Sequence, residues 1–189
     1  MNAPRPLVQI IIASTRPGRV GEPTGRWIAE RARERADLDV EIVDLAEIDL
    51  PMFAEPHHPR LGNYVQQSTR DFSALIDRAD GFVLVFPEYN HSYNAALKNA
   101  LDHLNREWAG KPVGLVSYGG VAAGARATVA LEPVLLALGT IPHSAAAVPI
   151  PFIPQFLEGE GEQRRFVPND AVRQGTDAML DALTAHLVK

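Results

Sequence analysis

Residues 14–21, with the sequence STRPGRVG, combine two hydroxyl groups, two guanidinium groups and two glycines. They follow a run of apolar residues and precede a segment with helical spacing of apolar residues. The start of a helix carries free backbone N–H groups and a partial positive charge, so this segment could bind a phosphate group. It has neither the Gly-Lys-Ser/Thr of a Walker loop nor the G-x-G-x-x-G fingerprint. A helix cap flanked by two solvated arginines explains its composition equally well.

A second polar segment, residues 87–94 (PEYNHSYN), follows another apolar run. Its proline would stop the preceding strand. Tyr, Asn and His side chains can stack on a heteroaromatic ring or form hydrogen bonds with it. The alternative is a polar turn in which Ser92 or Asn94 caps the next helix. The density of aromatic and amide groups favours contact with a ligand.

A third segment, residues 117–124 (SYGGVAAG), contains paired glycines after an apolar run. Glycine lets a ligand approach the backbone at positions where a Cβ atom would block it. Paired glycines also occur in ordinary turns, so this segment supports a ligand site only together with the other two.

The elements that must position these segments alternate along the chain. β-branched and apolar runs predict strands at 7–13, 40–45, 81–86 and 112–117, with a weaker one within 141–149. Helical spacing predicts helices over 22–36, 63–79, 94–106, 123–138 and 169–187, with a long loop at 46–62 and an irregular stretch over 149–167. This alternation predicts a parallel sheet with helices on both faces, and ligands bind such sheets at the carboxyl ends of the strands.

The composition narrows the class of protein. The length of 189 residues predicts a single domain, 1–189. The 18 basic and 23 acidic residues form no basic stripe, which argues against a nucleic-acid partner. The absence of cysteine excludes disulfides, cysteine-bound metals and a thiol nucleophile, and His57 and His58 lack a third ligand, so no metal site is predicted.

The sequence contains no signal for a membrane. No apolar stretch approaches the roughly 20 residues that span a bilayer. Residues 1–6 run into a core-like segment without a cleavage-site pattern. We therefore expect a cytoplasmic protein without a membrane partner.

Three segments, STRPGR, PEYNHSYNAALKNALDHL (87–104) and KPVGLVSYGGVAAGARA (111–127), together resemble the NADPH-dependent FMN reductase family. The resemblance extends over about residues 7–148, with the segments in the family's order and spacing. This flavodoxin-like family includes quinone, azo-dye and chromate reductases. The resemblance implies a three-layer α/β sandwich with a five-stranded parallel sheet in the order 2-1-3-4-5.

The resemblance also implies bound FMN, with NAD(P)H as co-substrate. The residues that would bind the FMN phosphate are Ser14, Arg16 and Arg19, with Val20 and Gly21 in the same loop. Those that would line the isoalloxazine, largely through backbone groups, are Pro87, Glu88, Tyr89, Asn90 and His91. Those that would border its pyrimidine side and the ribityl chain are Ser117, Tyr118, Gly119 and Gly120. The family often has Ser-Asn where this chain has residues 20–22 (VGE), and often proline where it has Tyr93.

The implied reaction is a ping-pong transfer of hydride from NAD(P)H to the flavin, followed by two-electron reduction of a small-molecule acceptor. That acceptor would be a quinone, a flavin, an azo compound or chromate. The cofactor carries this chemistry, so no protein residue is assigned as catalytic. Lys98 and Asn99 either position the site or are structural, and the structural role is favoured.

Members of this family are usually dimers or tetramers, so we expect a homodimer or homotetramer. The 45–62 loop and the 149–167 segment are the candidate contacts with a partner. The second contains four large apolar residues, Phe152, Ile153, Phe156 and Leu157. These residues either reach a partner or form a lid packed on the chain's own core.

Three other functions are compatible with this order of elements. A flavodoxin-like electron carrier would not oxidise NAD(P)H directly, and it generally has a Thr-rich phosphate loop and a strongly acidic face. A phosphorelay receiver needs an acidic residue at the end of the third strand, where this chain has residues 85–87 (VFP). A hydrolase of the G-x-S-x-G type is disfavoured because that motif is absent.

Overall fold

The structure, a computed structural model, describes residues 4–187. Residues 1–3, part of the segment without a cleavage-site pattern, lie outside the described residues, as do residues 188–189. The strands are β1 (Leu7–Ile12), β2 (Asp39–Asp44), β3 (Gly81–Tyr89), β4 (Ser92–Tyr93), β5 (Pro112–Gly119), β6 (Ile141–Pro142), β7 (Val148–Pro151), β8 (Leu157–Glu158) and β9 (Arg165–Phe166). The helices are α1 (Gly21–Arg33), α2 (Leu45–Ile48), α3 (Gln67–Asp77), α4 (Ala95–His103), α5 (Ala125–Ala137) and α6 (Asp170–Leu187).

The main sheet confirms the predicted order. Its strands run β2-β1-β3-β5, and both β6 and β7 pair with β5 in parallel. β6 and β7 are two pieces of the single fifth strand predicted within 141–149, separated by a short 3₁₀ helix at Ser144–Ala146. β7 contains Pro149 and Pro151, and prolines are tolerated there because the strand lies at the edge of the sheet.

β3 is longer than predicted, and the expectation that Pro87 ends it is wrong. Pro87 pairs with Tyr118 of β5, and β3 continues to Tyr89. The pairing with β1 ends at Val85, so Pro87 has a neighbouring strand on one side only and needs no second ladder bond. β3 then turns into β4 through Asn90 and His91, whose φ angles of 49° and 66° suit a type I′ hairpin.

Helices cover both faces of the sheet. Successive residues of β1 point to opposite faces, so Ile10 belongs to one core and Ile11 to the other. The first core lies under α1 and α6, where Ile28 and Leu180 are buried. The second core lies under α3, α4 and α5. Because both faces are covered, the carboxyl ends of the strands remain the place where a ligand can reach the sheet.

The predicted loop at 46–62 contains most of the short helix α2 and a 3₁₀ helix at Pro59–Leu61, neither of which the sequence predicted. α2 begins directly after β2, and the carboxylate of Asp44 accepts a hydrogen bond from the Ala46 amide at 3.0 Å as its N-cap. The following segment also shortens the helix predicted over 63–79, because the carboxylate of Glu55 binds the amides of Val65 and Gln66. The α3 helix therefore begins only at Gln67.

The 149–167 segment, expected to be irregular, forms two 3₁₀ turns and the β8–β9 hairpin. Ile153 and Phe156 are buried in the chain's own core. For these two residues, the alternative of a lid packed on the chain's own core is confirmed. Phe166 of β9 packs edge-on against Trp27 of α1, with ring centroids 5.6 Å apart. Phe152, by contrast, is 55% exposed.

None of the helices within residues 4–187 combines the length and the apolar character needed to cross a bilayer.

Candidate functional site

The three polar segments meet at the carboxyl edge of the sheet. The amide of Asn94, which follows the β3–β4 hairpin, donates to the carbonyl oxygen of Ala13 at 2.7 Å. Pro87 in the hairpin strand and Tyr118 at the end of β5 are neighbours in register. Asn94 was weighed only as a helix cap in the sequence, but here its buried side chain ties the hairpin to the loop after β1.

The β1–α1 loop, residues 13–20, is shaped by Arg19. Its guanidinium donates to the carbonyl of Ser14 at 2.8 Å and binds both carboxylate oxygens of Asp44. The hydrogen bond with the nearly buried Asp44 raises the pKa of Arg19 above its usual value. Ser14 is buried, whereas Arg16 is exposed to solvent at the rim of the loop. The guanidinium of Arg19 is therefore bound by protein groups, whereas Arg16 is exposed to solvent.

The first turn of α1 has no side-chain cap. Val20 is the N-cap residue, and its carbonyl accepts from the hydroxyl of Thr24 at 2.8 Å. No side chain among residues 4–187 caps the N–H groups of this turn. Such a helix start favours an anion through its N–H groups and its partial positive charge. Glu22 in the same turn is neutralised by an ion pair with Arg26.

The hairpin side chains predicted at the ring are partly held by α5. Glu88 accepts from the guanidinium of Arg126 at 2.7 Å and from its backbone N–H at 3.2 Å. The ring of His91 contacts the same guanidinium at 3.1 Å. Tyr89 and Asn90 are exposed at the hairpin tip. The sequence reasoning missed Arg126, although it lies within the 111–127 segment that carries the resemblance.

The β5–α5 loop is tight at one glycine and open at another. Ser117 donates to the carbonyl of Ala123 at 3.1 Å. Gly124 has a φ of 83°, and a Cβ atom there would lie 2.6 Å from the Cβ of Ser117, so only glycine fits. The carbonyl of Gly119 accepts from the amide of Phe152 at 2.9 Å. Gly120 faces open space, where a Cβ atom would contact nothing within 4 Å.

A cleft of about 400 Å³ opens beside the β1–α1 loop. Asn99 of α4 holds its outer wall, accepting from the amide of Phe53 at 2.8 Å and donating to the carbonyl of Pro51 at 2.9 Å. Lys98 pairs with Asp102 on its own helix, so both residues weighed from the sequence have structural contacts. The cleft is lined by Thr15, Leu45, Ala46, Asp49, Leu50, Met52, Ala95, Ala96 and Asn99.

A known family matches the region of the chain that contains the three polar segments. The family model described as NADPH-dependent FMN reductase matches residues 6–155. The chain is 43% identical over 121 residues to an NAD(P)H-dependent FMN reductase of Schizosaccharomyces pombe, covering 63% of this chain but only 60% of that relative. It is 35% identical over 160 residues to an NAD(P)H-dependent FMN reductase of Saccharomyces cerevisiae, covering 78% of this chain and 83% of the relative.

Solved structures share the fold. The flavoenzyme NAD(P)H:(acceptor) oxidoreductase from Paracoccus denitrificans superposes with a TM-score of 0.76 at 24% identity, over 96% of this chain and 98% of that one. A flavodoxin from Streptococcus pneumoniae superposes with a TM-score of 0.55 at 14% identity, over 95% and 98%. Likeness at this level of identity establishes a flavodoxin-like arrangement of strands and helices.

Proposed function

The chain belongs to the NADPH-dependent FMN reductase family, as its motifs predicted, and from this premise we propose that it is an FMN-dependent NAD(P)H oxidoreductase. One observation carries the proposal: the three motif segments meet at the carboxyl edge of the sheet, around a helix start that no side chain among residues 4–187 caps. Ligands of doubly wound sheets bind at this edge.

The residues at the helix start fit a phosphate monoester. Gly21 opens α1 without a side chain, next to the buried Ser14. Arg16 is the exposed guanidinium of the loop and would reach the phosphate directly. Arg19 would act differently, because its contacts with Asp44 and the Ser14 carbonyl make it the residue that shapes the loop. Val20 and Gly21 would contribute backbone N–H groups.

The flat part of the ligand would lie along the other two segments. Arg126 holds the side chains of Glu88 and His91, so the hairpin from Pro87 to His91 would line the ring mainly through its backbone and through Tyr89 and Asn90. The loop from Ser117 to Gly120 would border it on the other side. Gly120, which faces open space, leaves room for this approach.

Bound FMN supplies the redox chemistry, accepting a hydride from NAD(P)H and delivering two electrons to an acceptor. The chain's own residues then need only to orient the ring and to donate backbone N–H groups to it. We assign no residue as catalytic. One domain with one edge site would serve NAD(P)H and acceptor in turn, which predicts ping-pong kinetics.

The acceptor would be a small molecule. Quinones, free flavins, azo compounds and chromate stay as candidate classes. A steady-state panel of these acceptors with NADPH and NADH would rank them.

The first test is direct. The purified protein should bind FMN and oxidise NAD(P)H with no other protein present. A protein that binds FMN but oxidises no NAD(P)H would be the flavodoxin-like carrier, and a protein that binds no FMN would contradict the proposal.

A matched pair of variants tests the phosphate contact. Arg16→Ala should weaken FMN binding about tenfold, as expected for one lost hydrogen bond to a charged group. Arg33→Ala, at the exposed far end of α1, should leave the dissociation constant unchanged. Equal effects of the two substitutions would count against a role for Arg16.

We propose a homodimer or homotetramer in the cytoplasm, where NAD(P)H is available. Large apolar side chains are exposed on the surface, with Met52 77%, Val129 69% and Leu136 59% accessible. Exposed apolar groups of this kind often mark contacts between proteins. Sedimentation velocity should show an oligomer that Val129→Asp or Met52→Asp shifts towards monomer. A monomeric wild-type protein would contradict this part of the proposal.

A further inference from the structure

The hydroxyl of Tyr118 is a buried polar group without a hydrogen-bond partner among residues 4–187. The side chain is only 4% exposed, at the end of β5. A buried hydroxyl that makes no hydrogen bond is costly, and in a native structure it requires an explanation. A bound ligand that accepts the hydrogen bond is one such explanation.

The position of this hydroxyl identifies the end of the ligand that it would meet. A Cβ atom on Gly21, the first residue of α1, would lie 2.4 Å from the Tyr118 hydroxyl and 3.4 Å from the Cβ of Ser14. The phenol therefore reaches beneath the uncapped start of α1, beside Ser14. The two hydroxyls do not meet the geometry of a hydrogen bond with each other. Only glycine at position 21 leaves space for the phenol.

The protonation state suits a hydrogen-bond donor. Burial raises the pKa of Tyr118 well above its usual value, although the nearby Ser14 hydroxyl lowers it in part. The positive charge of Arg19 also acts on the phenol, which places it close to the β1–α1 loop. The phenol therefore stays neutral at physiological pH and can donate its proton to an anion.

Resting on the proposed function, we infer that the Tyr118 hydroxyl donates a hydrogen bond to the phosphate of FMN and makes the site selective for a phosphorylated flavin. The phosphate would accept bonds from the α1 N–H groups and from this O–H together. Riboflavin has no phosphate, so it would leave the buried hydroxyl unpartnered. Tyr118 thereby contacts the phosphate end of the ligand, in addition to bordering the ring through its backbone.

Tyr118→Phe tests the inference with FMN and riboflavin as probes. Titrations of the apo protein, followed by quenching of flavin fluorescence, should show a dissociation constant for FMN raised about fivefold to tenfold, as expected for one hydrogen bond. The dissociation constant for riboflavin should change less than about twofold. An unchanged FMN affinity, or an equal loss for both flavins, would overturn the inference.

Tyr64→Phe is the matched control, because the Tyr64 hydroxyl already has a protein partner, the carboxylate of Glu107 at 3.0 Å. Thermal unfolding of the apo proteins should show a lower melting temperature for Tyr64→Phe with unchanged FMN affinity. Tyr118→Phe should melt at or above the wild-type temperature, because it removes an unpartnered hydroxyl. A lower melting temperature for Tyr118→Phe would reveal a structural partner and contradict the inference.

The outcomes separate the inference from the proposed function. A wild-type protein that binds FMN, with a Tyr118→Phe variant that binds it equally well, overturns the phosphate contact and leaves the reductase proposal standing. A wild-type protein that binds neither flavin overturns both. A change in the ³¹P chemical shift of bound FMN in Tyr118→Phe, absent in Tyr64→Phe, would support the contact independently of activity.

Discussion

Two neighbouring regions at the carboxyl edge of the sheet differ in how their polar groups are satisfied. The first is the β1–α1 loop (residues 13–20) with Asn94 and Tyr118 against it; because we propose that the ligand binds there, we call it the ligand-facing region. The second, the closed segment, is residues 49–66. In the ligand-facing region, Asn94 Oδ1 and the Tyr118 hydroxyl are buried without partners among residues 4–187.

The closed segment is irregular too, yet its polar contacts are internal. Glu55 binds the amides of Val65 and Gln66 at 2.8 and 2.9 Å, and Asn99 binds the backbone on both sides of Met52. Tyr64 reaches the buried Glu107. No side-chain polar atom of residues 49–66 is buried without a partner. Irregular backbone alone therefore does not mark a ligand site, because in this segment the protein itself satisfies the buried polar side chains.

The largest expected effect is in the network that holds the closed segment. Glu107 is fully buried and accepts from the hydroxyls of Ser73 at 2.6 Å and Tyr64 at 3.0 Å. Glu107→Ala should lower the free energy of unfolding by about 3 kcal/mol, because it leaves the buried hydroxyl of Ser73 and the partly buried hydroxyl of Tyr64 without an acceptor. Urea denaturation measures this loss. Glu107→Gln keeps an acceptor and should lose less, and an Ala variant as stable as the wild type would refute the structural role.

The second largest expected effect is at Asn99, which lines the cleft and binds the backbone of the closed segment. Asn99→Ala removes two hydrogen bonds to the closed segment, so it should cost about 2 kcal/mol of stability. Amide exchange should speed up around Phe53. Lys98→Ala, the adjacent substitution, breaks a partly exposed pair with Asp102 and should cost less than about 0.5 kcal/mol. Similar losses of stability for the two variants would argue that the hydrogen bonds of Asn99 do not stabilise the closed segment.

A third substitution, in the ligand-facing region, should affect ligand binding more than stability. Asn94→Ala loses the hydrogen bond to Ala13 and should cost only about 1 kcal/mol of stability. It should weaken FMN binding about tenfold, since the β1–α1 loop is no longer tied to the hairpin. Isothermal titration of the folded variant provides the measurement. Asn63→Ala, on the exposed surface of the closed segment, should change neither quantity; a similar loss of affinity there would erase the distinction between the regions.

The smallest effect is a pH dependence in the closed segment. Burial alone would raise the pKa of Glu55, but hydrogen bonds from the amides of Val65 and Gln66 and the charge of Arg70 outweigh it and lower the pKa below its usual 4.5. The folded protein therefore binds this proton less readily than the unfolded chain. The stabilising contribution is complete above pH 4.5 and is lost as the pH falls through the lowered value.

Glu55→Gln measures this contribution. Denaturation at a series of pH values should show the variant less stable than the wild type at neutral pH, with the difference shrinking below about pH 4.5 as Glu55 takes up its proton. A constant difference across the series would mean that the carboxylate charge contributes nothing.

Much of the fold could be predicted from local patterns. The short apolar runs in β1 and β3, rich in β-branched residues and bounded by turn residues, favour buried strands, and their alternation with helical spacing predicts a parallel sheet. The break within the fifth strand, the α2 helix and the extension of β3 through Pro87 were missed. Each of these depends on which strand lies alongside or on a cap, and not on the period of the apolar residues.

The sequence by itself determined that three polar segments follow three parallel strands and therefore share one edge. Only the tertiary structure decided which polar groups there are already paired. Arg19 reaches Asp44 across 25 positions and Arg126 reaches Glu88 across 38, whereas Tyr118 reaches no partner among residues 4–187. Residue type and spacing determine what a side chain can donate or accept. The folded backbone decides which complementary group comes within about 3 Å of it.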